Sequence, residues 1–111
     1  MSKTETIKAS EADTGAMGQK YLVAGSDVAM RLWQEQAPGE SGTPHARDYE
    51  TVGYVVSGRV ELDIDGETVE LAAGDSWHVP RGAKRSYRII EALTAVEATH
   101  PAARDAGDEK A

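Results

Sequence analysis

An all-β sandwich or barrel is predicted by three features of this sequence. Gly58, Gly66, Gly74 and Gly82 recur every eight residues, and short strands separated by turn residues at this spacing are typical of both architectures. Residues 59–65 alternate strictly between apolar and polar side chains, as in a strand with one buried face. No segment sustains the 3.6-residue period of an amphipathic helix, so we expect little helix.

The strands of this domain can be assigned in chain order. We predict them at residues 18–24, 28–34, 59–65, 67–71, 85–90 and 93–99. The second of these strands places Met30 and Leu32 on one face and Trp33 on the other, because side chains alternate along a strand. The dipeptide Asp65-Gly66 favours a two-residue hairpin between the third strand and the fourth.

The domain organisation follows from length and local composition. A chain of 111 residues fits one domain. Both ends are polar and show no hydrophobic period, so we predict a flexible N-terminal tail at residues 1–14 and a flexible C-terminal tail at residues 102–111. The barrel is predicted to occupy residues 15–101.

Composition and charge exclude several classes of function. The net charge is −7, from 19 acidic and 12 basic residues, which disfavours nucleic-acid binding because that depends on Lys and Arg at phosphates. The chain has no cysteine, so it can form neither a disulfide nor a thiolate metal site. No apolar run approaches the ~18 residues of a membrane span, and the N-terminus has no secretory apolar core. We expect a cytoplasmic protein with no nucleic-acid or membrane partner.

Two glycine-punctuated segments carry the spacing of a known pair of motifs. The motif residues are Gly39, His45, Gly58, Gly74, Pro80 and Gly82. In this spacing the chain resembles the cupin superfamily over about residues 17–101. The resemblance implies the cupin double-stranded β-helix, a jelly-roll-like barrel. Within the superfamily, the chain is similar to small single-domain conserved-barrel cupins, and its metal motifs are degenerate.

Three of the four positions that hold a divalent metal in cupins carry unsuitable side chains here. The resemblance aligns these four positions with His45, Arg47, Thr51 and Arg85. Metal ions need lone pairs from imidazole or carboxylate, and a guanidinium has none to offer. Thr51 also replaces the anionic ligand of the family. We therefore expect no cofactor; if a metal is present, the candidate set is His45 with His78 or Glu50.

The same substitutions predict a site for an anion. If the family geometry holds, the four aligned positions approach one cavity, and buried guanidiniums are costly without a paired anion. The arginine fork suits a carboxylate or a phosphate. Tyr87 should share a face with Arg85, and Trp77 is a candidate apolar wall, although it is also a candidate core residue. The predicted ligand-binding residues are His45, Arg47, Thr51, Arg85, Tyr87 and Trp77.

An alternative arrangement leaves no pocket for a ligand. In it the two arginines pair with carboxylates of the chain. Arg47 would pair with Asp48 or Glu50 at the rim, and Arg85 would pair with Glu97 or Asp75. The residues alone do not separate this arrangement from an anion site.

Three functions follow from these alternatives. The first is a metal-free barrel that binds a small organic anion, and the sequence favours such a binding protein over an enzyme. The second is a metal-dependent cupin enzyme, a dioxygenase or an isomerase, with non-standard ligands. The third is a structural or partner-binding module whose barrel is filled. The resemblance also implies a homodimer, in which residues 18–24 add a strand to the sheet of the neighbouring copy and cover its open edge.

Overall fold

The structure of the protein is a computed structural model that describes residues 5–39 and 44–103. It contains a 3-10 turn at Ala9–Glu11 and seven strands. The strands are β1 (Lys20–Ala24), β2 (Ala29–Gln36), β3 (His45–Ala46), β4 (Glu50–Ile64), β5 (Glu67–Ala72), β6 (Ser76–Val79) and β7 (Lys84–His100). Apart from the 3-10 turn, no helix occurs in the described residues. The all-β prediction is confirmed.

All seven strands belong to one antiparallel sheet. Its order is β1-β2-β7-β4-β5, with β3 paired to β7 and β6 paired to β4. The two long central strands pair along most of their length, from Glu50 opposite His100 to Ile64 opposite Arg85. The first half of β4 pairs with β6 and the second half pairs with β5. The long strand β4 thus belongs to two neighbouring faces of the sheet, and the sheet folds over into a jelly-roll-like barrel.

Gly58 lies inside β4 and allows the long strands to bend. Its φ angle is +90°, and the pairing of β4 with β7 shifts register on both sides of Ser57. A Cβ atom at Gly58 would lie 2.0 Å from the carbonyl oxygen of Ala92, so only glycine fits there. The prediction that Gly58 marks a turn between separate strands is wrong. Likewise, the predicted strands 85–90 and 93–99 are one continuous strand, β7.

The barrel core fills the space between the two halves of the folded sheet. Its buried side chains are Val55, Val60, Leu62, Leu71, Val79, Ala83, Leu93 and Ala95. Burying aliphatic side chains of this kind is the main favourable contribution to folding. Trp33, Trp77, Tyr87 and Ile89 pack against this cluster but are only partly buried. They mark the side of the core on which the candidate site lies.

The chain before β1 makes contacts with that strand. The backbone N–H of Tyr21 donates to the carbonyl oxygen of Asp13 at 2.9 Å, and Thr14 forms a bridge with Lys20. After the last strand, the backbone N–H of Ala103 donates to the Thr99 hydroxyl at 2.8 Å. Residues 1–4 and 104–111 of the predicted tails lie outside the described residues. The boundaries at residues 15 and 101 stay predictions.

The predicted N-terminal strand corresponds to β1, which pairs with β2 of its own chain. The exchange of this strand between two copies stays a prediction. Within residues 5–39 and 44–103, no helix has the length and apolar character needed to cross a membrane.

Candidate ligand-binding site in the barrel

A cavity of about 340 Å³ lies beside the barrel core. This is near the lower end of the size range of small-molecule pockets, about 300–1,000 Å³. One part of its lining is a polar cluster of Arg31, His45, Arg47, Tyr49 and Arg85. The rest is mainly apolar and includes Met17, Trp33, Val60, Trp77, Tyr87, Ile89, Leu93 and Ala95. A cationic cluster next to an aromatic and aliphatic wall suits a small ligand with a charged group and an apolar body.

Five of the six predicted ligand-binding residues line this cavity. They are His45, Arg47, Trp77, Arg85 and Tyr87. His45 on β3 pairs directly with Arg85 on β7, and Tyr87 lies two residues further along β7. The ring of Trp77 on β6 meets the ring of Tyr87 edge-on, with the centroids 6.3 Å apart. Three different strands therefore bring these side chains together.

Thr51, the sixth predicted residue, is completely buried and does not line the cavity. Its hydroxyl accepts a hydrogen bond from Nη1 of Arg85 at 3.4 Å. This contact gives Thr51 a supporting position behind the guanidinium rather than a position against a ligand.

Arg85 is buried beside the cavity with neutral partners. Only 7% of the residue is exposed. Besides Thr51, its guanidinium donates to the carbonyl oxygens of Tyr49, Pro80 and Ala83 at 3.2–3.5 Å. These distances exceed the usual ~2.9 Å. The Arg85 guanidinium also lies 5.5 Å from the centre of the Tyr49 ring, a favourable cation–π distance.

The electrostatic setting of Arg85 is unfavourable for its own charge. Burial lowers the pKa of Arg85 below its ordinary value; Tyr87, Tyr49 and the charge of Glu97 oppose this shift only in part, and the positive charge of Arg47 adds slightly to it. The residue stays a cation at any physiological pH because guanidinium is so strong a base. The direction of the shift indicates a charge that an anion would stabilise.

Arg31 is a second buried arginine of the site, and its charge is matched within the chain. Its Nη2 atom lies 2.5 Å from Oε1 of Glu97, with both side chains at most 5% exposed. Burial opposes the charge of Arg31, but the charge of Glu97 and its hydrogen bond raise the pKa of Arg31 overall. Trp33 donates its indole N–H to the same Glu97 oxygen at 2.9 Å.

Tyr49 connects the two buried arginines. Nη1 of Arg31 donates to the Tyr49 hydroxyl at 3.2 Å, and the Arg31 guanidinium lies 5.3 Å from the ring centre. Neither Arg31 nor Tyr49 is among the residues that the sequence predicted for the site. The only sequence signal for Arg31 is strand alternation, which puts it on the same face as Trp33.

The carboxylates proposed as partners in the pocket-free arrangement have other contacts. Glu97 binds Arg31, as described above. Asp48 approaches Nε of Arg81 at 3.9 Å, and Oδ2 of Asp75 accepts from the backbone N–H of Ala72 at 2.8 Å. Arg85 makes no ion pair with any of the described residues.

The candidate metal ligands are not brought together. His45 lines the cavity, whereas Glu50 and His78 are half-exposed, bind one another at 2.9 Å and do not line it. Among residues 5–39 and 44–103, no group of three or more His, Cys, Asp or Glu residues could hold a metal ion. The side chains present therefore do not fit the divalent metal that the fold family implies, and the absence of a cofactor stays a prediction.

Tyr87 is the other titratable group of the cavity with a perturbed ionisation. Burial raises the pKa of its phenol well above the ordinary value of 10, and the charge of Glu97 raises the pKa further. The phenol is consequently neutral at physiological pH. A neutral hydroxyl on an apolar wall can donate one hydrogen bond to a ligand.

Comparison with known proteins identifies the family. A family model described as "Cupin domain" matches residues 32–98, more than half of the chain. The chain belongs to the cupin family. A solved structure of an RmlC-like cupin from Shewanella frigidimarina superposes on this cupin with a TM-score of 0.77 at 20% sequence identity. The match covers 91% of this chain and 94% of that one, and it confirms the predicted cupin barrel.

Two curated relatives of this cupin have different roles. The acetate kinase EutQ of Clostridioides difficile (strain 630) is 24% identical over 107 residues, which are 90% of this chain and 68% of EutQ. The pectin degradation protein KdgF of Dickeya dadantii (strain 3937) is 33% identical over 60 residues. That match covers 53% of this chain and only 54% of KdgF. The relatives thus show the family without a common activity.

Proposed function

We propose that this cupin binds a small organic anion in its barrel, with Arg85 as the principal cation and without a family-type metal. The observation that carries the proposal is the setting of Arg85. It is a buried guanidinium at the cavity surface, and its hydrogen-bond acceptors within the described residues are all neutral. A carboxylate or phosphate entering the cavity would supply the missing opposite charge.

The energetic argument compares the bound and unbound states of Arg85. A buried charge without a counter-charge carries an uncompensated desolvation penalty, which a paired anion reduces. The four existing hydrogen bonds are long and weak and go to neutral acceptors, so they compensate the charge little, and an anion would add shorter charge-assisted bonds. Arg47 lies close enough for its charge to act on Arg85, and it therefore adds to the positive potential that attracts an anion.

The arrangement around Arg85 supports a binding geometry that is formed in advance. Thr51 and the carbonyl oxygens of Tyr49 and Pro80 hold the guanidinium from behind. Tyr49 separates it from Arg31, whose charge Glu97 already matches. A ligand anion would thus meet a fixed cation, and a fixed site loses little conformational entropy on binding.

Calorimetric titration with a panel of organic acids and inorganic phosphate tests the proposal. We expect Arg85→Gln to weaken the binding of any acid that binds by at least tenfold, because charge-assisted hydrogen bonds contribute about 1.5–3 kcal/mol. The matched control is Arg88→Gln, three residues along β7, where the arginine is exposed and bound to Glu61. Arg85→Lys keeps the charge without the fork and should give an intermediate affinity.

Two results would overturn the proposal. One is a panel in which no acid binds the folded protein at millimolar concentration. The other is equal binding by the parent, Arg85→Gln and Arg88→Gln proteins.

Metal analysis separates this proposal from the metal-dependent enzyme. Protein purified without chelator or affinity metal should contain iron, zinc, nickel and manganese well below one equivalent, since imidazole and carboxylate ligands are not gathered in the cavity. A stoichiometric metal that is lost in a His45→Ala variant would establish the alternative.

We also propose that two copies associate through the exposed apolar face of the sheet. In the register of β2, β7 and β4, Met30 lies beside Ala98 and Val52 on this face, and Leu32 beside Val96 and Tyr54. Met30, Val52 and Tyr54 are 40–51% exposed, whereas Leu32, Val96 and Ala98 are partly buried. Within β2, β7 and β4 these two rows are apolar, and they are bordered by Lys20 beside Leu32 and by His78, bound to Glu50, beside Val52. A second copy docked there would bury the apolar part of this face despite the net charge of −7.

Sedimentation velocity tests this association. We expect the parent to sediment as a homodimer and Tyr54→Glu as a monomer, because a carboxylate would be buried in the interface. Val69→Glu, on exposed β5, is the control and should remain dimeric. A parent that is monomeric at all concentrations tested would contradict the proposal.

Cell fractionation would test the expected cytoplasmic location.

A further inference from the structure

We infer that the ligand of this cavity is an aromatic carboxylate rather than a sugar acid. The inference rests on the proposed anion site and adds the chemical class of the ligand body. It is carried by the side chains around the cavity outside the cationic cluster. Apart from Ser86 these are all aromatic or aliphatic.

The low hydrogen-bond capacity of the wall disfavours a polyhydroxylated ligand. Within the described residues, no Asp, Glu, Asn or Gln side chain lines the cavity. A sugar acid has several hydroxyl groups, each of which donates one hydrogen bond and accepts others. The wall offers only the hydroxyls of Ser86 and Tyr87 and the indole N–H of Trp77. Hydroxyl groups that face Trp33, Ile89 and Leu93 would have no partners there, and a buried polar group without a partner opposes binding.

The aromatic part of the lining is held in a fixed orientation. The indole N–H of Trp33 is anchored on Glu97 at 2.9 Å. Trp77 packs directly on the backbone of β4, since a Cβ atom at Gly53 would lie 2.3 Å from its ring. Its edge-on contact with Tyr87 fixes the second ring. Pre-positioned aromatic rings favour a planar ligand ring, which can pack edge-on or offset against them.

The size of the cavity agrees with a single-ring acid. Its 340 Å³ corresponds to roughly eleven water molecules at ~30 Å³ each. Benzoate combines a carboxylate for Arg85 with a flat apolar ring, and it fits within this volume. Galacturonate has the same charge but presents hydroxyl groups to the wall, and benzyl alcohol has the ring without the charge. These three compounds therefore separate the two parts of the inference.

Calorimetric titration of the full chain with these three compounds is the test. We expect benzoate to bind at least tenfold more tightly than both galacturonate and benzyl alcohol. Tighter binding of galacturonate would overturn the aromatic inference and leave the anion site intact. Equal binding of benzoate and benzyl alcohol would overturn the anion site, and the aromatic carboxylate with it. Binding of none of the three would also overturn both.

A variant of the wall provides a second readout. Trp77→Leu keeps the wall apolar and removes one ring, so benzoate should bind severalfold more weakly while acetate, which reaches only the cation, is unaffected. The matched control is Tyr54→Leu, an exposed aromatic residue on β4 that does not line the cavity. The contact between the ligand ring and the wall is refuted if Trp77→Leu weakens the binding of acetate and benzoate by the same factor. It is also refuted if Trp77→Leu leaves the binding of both compounds unchanged.

Discussion

Replacing Glu97 by glutamine removes the counter-charge of Arg31 while keeping the shape of the side chain. Both Arg31 and Trp33 donate to Oε1 of Glu97, and a glutamine carbonyl oxygen can still accept these bonds. The change therefore isolates the charge. With side chains at most 5% exposed, solvent screens the pair little, and the Arg31 cation would remain buried without a counter-charge.

The expected destabilisation is large for a domain of this size. Unit charges 4 Å apart at an effective dielectric constant of about 20 interact by roughly 4 kcal/mol. Breaking a buried pair from one side typically costs about 3–5 kcal/mol. At roughly 4 °C per kcal/mol, Glu97→Gln should lower the Tm by about 12–20 °C. The total unfolding free energy of such domains is only about 5–15 kcal/mol.

Thermal unfolding followed by circular dichroism measures this change. The control is Glu70→Gln, which removes a half-exposed carboxylate partner of Arg59 and leaves Glu91 as the other. It should barely change the Tm because exposed pairs contribute little. If benzoate binds as we propose, saturating benzoate should restore part of the lost stability in Glu97→Gln, because a ligand that binds only the folded state stabilises it. A Tm within about 3 °C of the parent would refute the argument that Glu97 compensates a buried Arg31 charge.

Two further predictions concern the barrel frame and the phenol of the cavity. Gly58→Ala should lower the free energy of unfolding in urea by about 1–3 kcal/mol more than Gly66→Ala does. Both glycines have φ near +90°, but only at Gly58 would the added Cβ atom collide with the carbonyl oxygen of Ala92. Equal losses of stability in the two variants would contradict the collision. Tyr87 has a raised pKa in the folded state, so its contribution to stability is complete below pH ~10 and is lost as the pH rises through the folded-state pKa. As the pH rises above ~10, the unfolding free energy of Tyr87→Phe should therefore fall less than that of the parent. The exposed Tyr54→Phe should show the same pH dependence as the parent. The same pH dependence in both variants would disprove this prediction.

Much of the fold could be predicted because its signals are local. Strict alternation over residues 59–65 and the Asp65-Gly66 hairpin concern neighbours in the chain, and both correspond to the observed β4, β5 and their connection. The bend at Gly58 was harder to place, because a glycine at a strand bulge and a glycine at a turn satisfy the same requirement for positive φ. Only the pairing with Ala92 and its neighbours distinguishes them.

The candidate site could be predicted only in part: two of the five residues of its polar cluster, Arg31 and Tyr49, were not predicted, because their roles depend on contacts between distant segments. The motif spacing gave His45, Arg47 and Arg85 through the family resemblance. The role of Arg31 requires the register of β2 against β7, which places Arg31 directly opposite Glu97. No local pattern in a single sequence specifies which strands pair or in what register.

The pairing of β2 with β7 explains why Arg85 and Arg31 have different roles, although both guanidiniums contact the ring of Tyr49. Arg85 and Glu97 are both on β7, twelve residues apart, and a straight strand would separate them by roughly 40 Å. The bend of the long strands brings Arg85 to within 5.5 Å of the Tyr49 ring centre, and Arg31 lies 5.3 Å from it. Glu97 is nevertheless engaged by Arg31 and Trp33. Arg31 is therefore part of the internal structure of the barrel, while Arg85 has no ion-pair partner among the described residues and is the cation of the anion site that we propose.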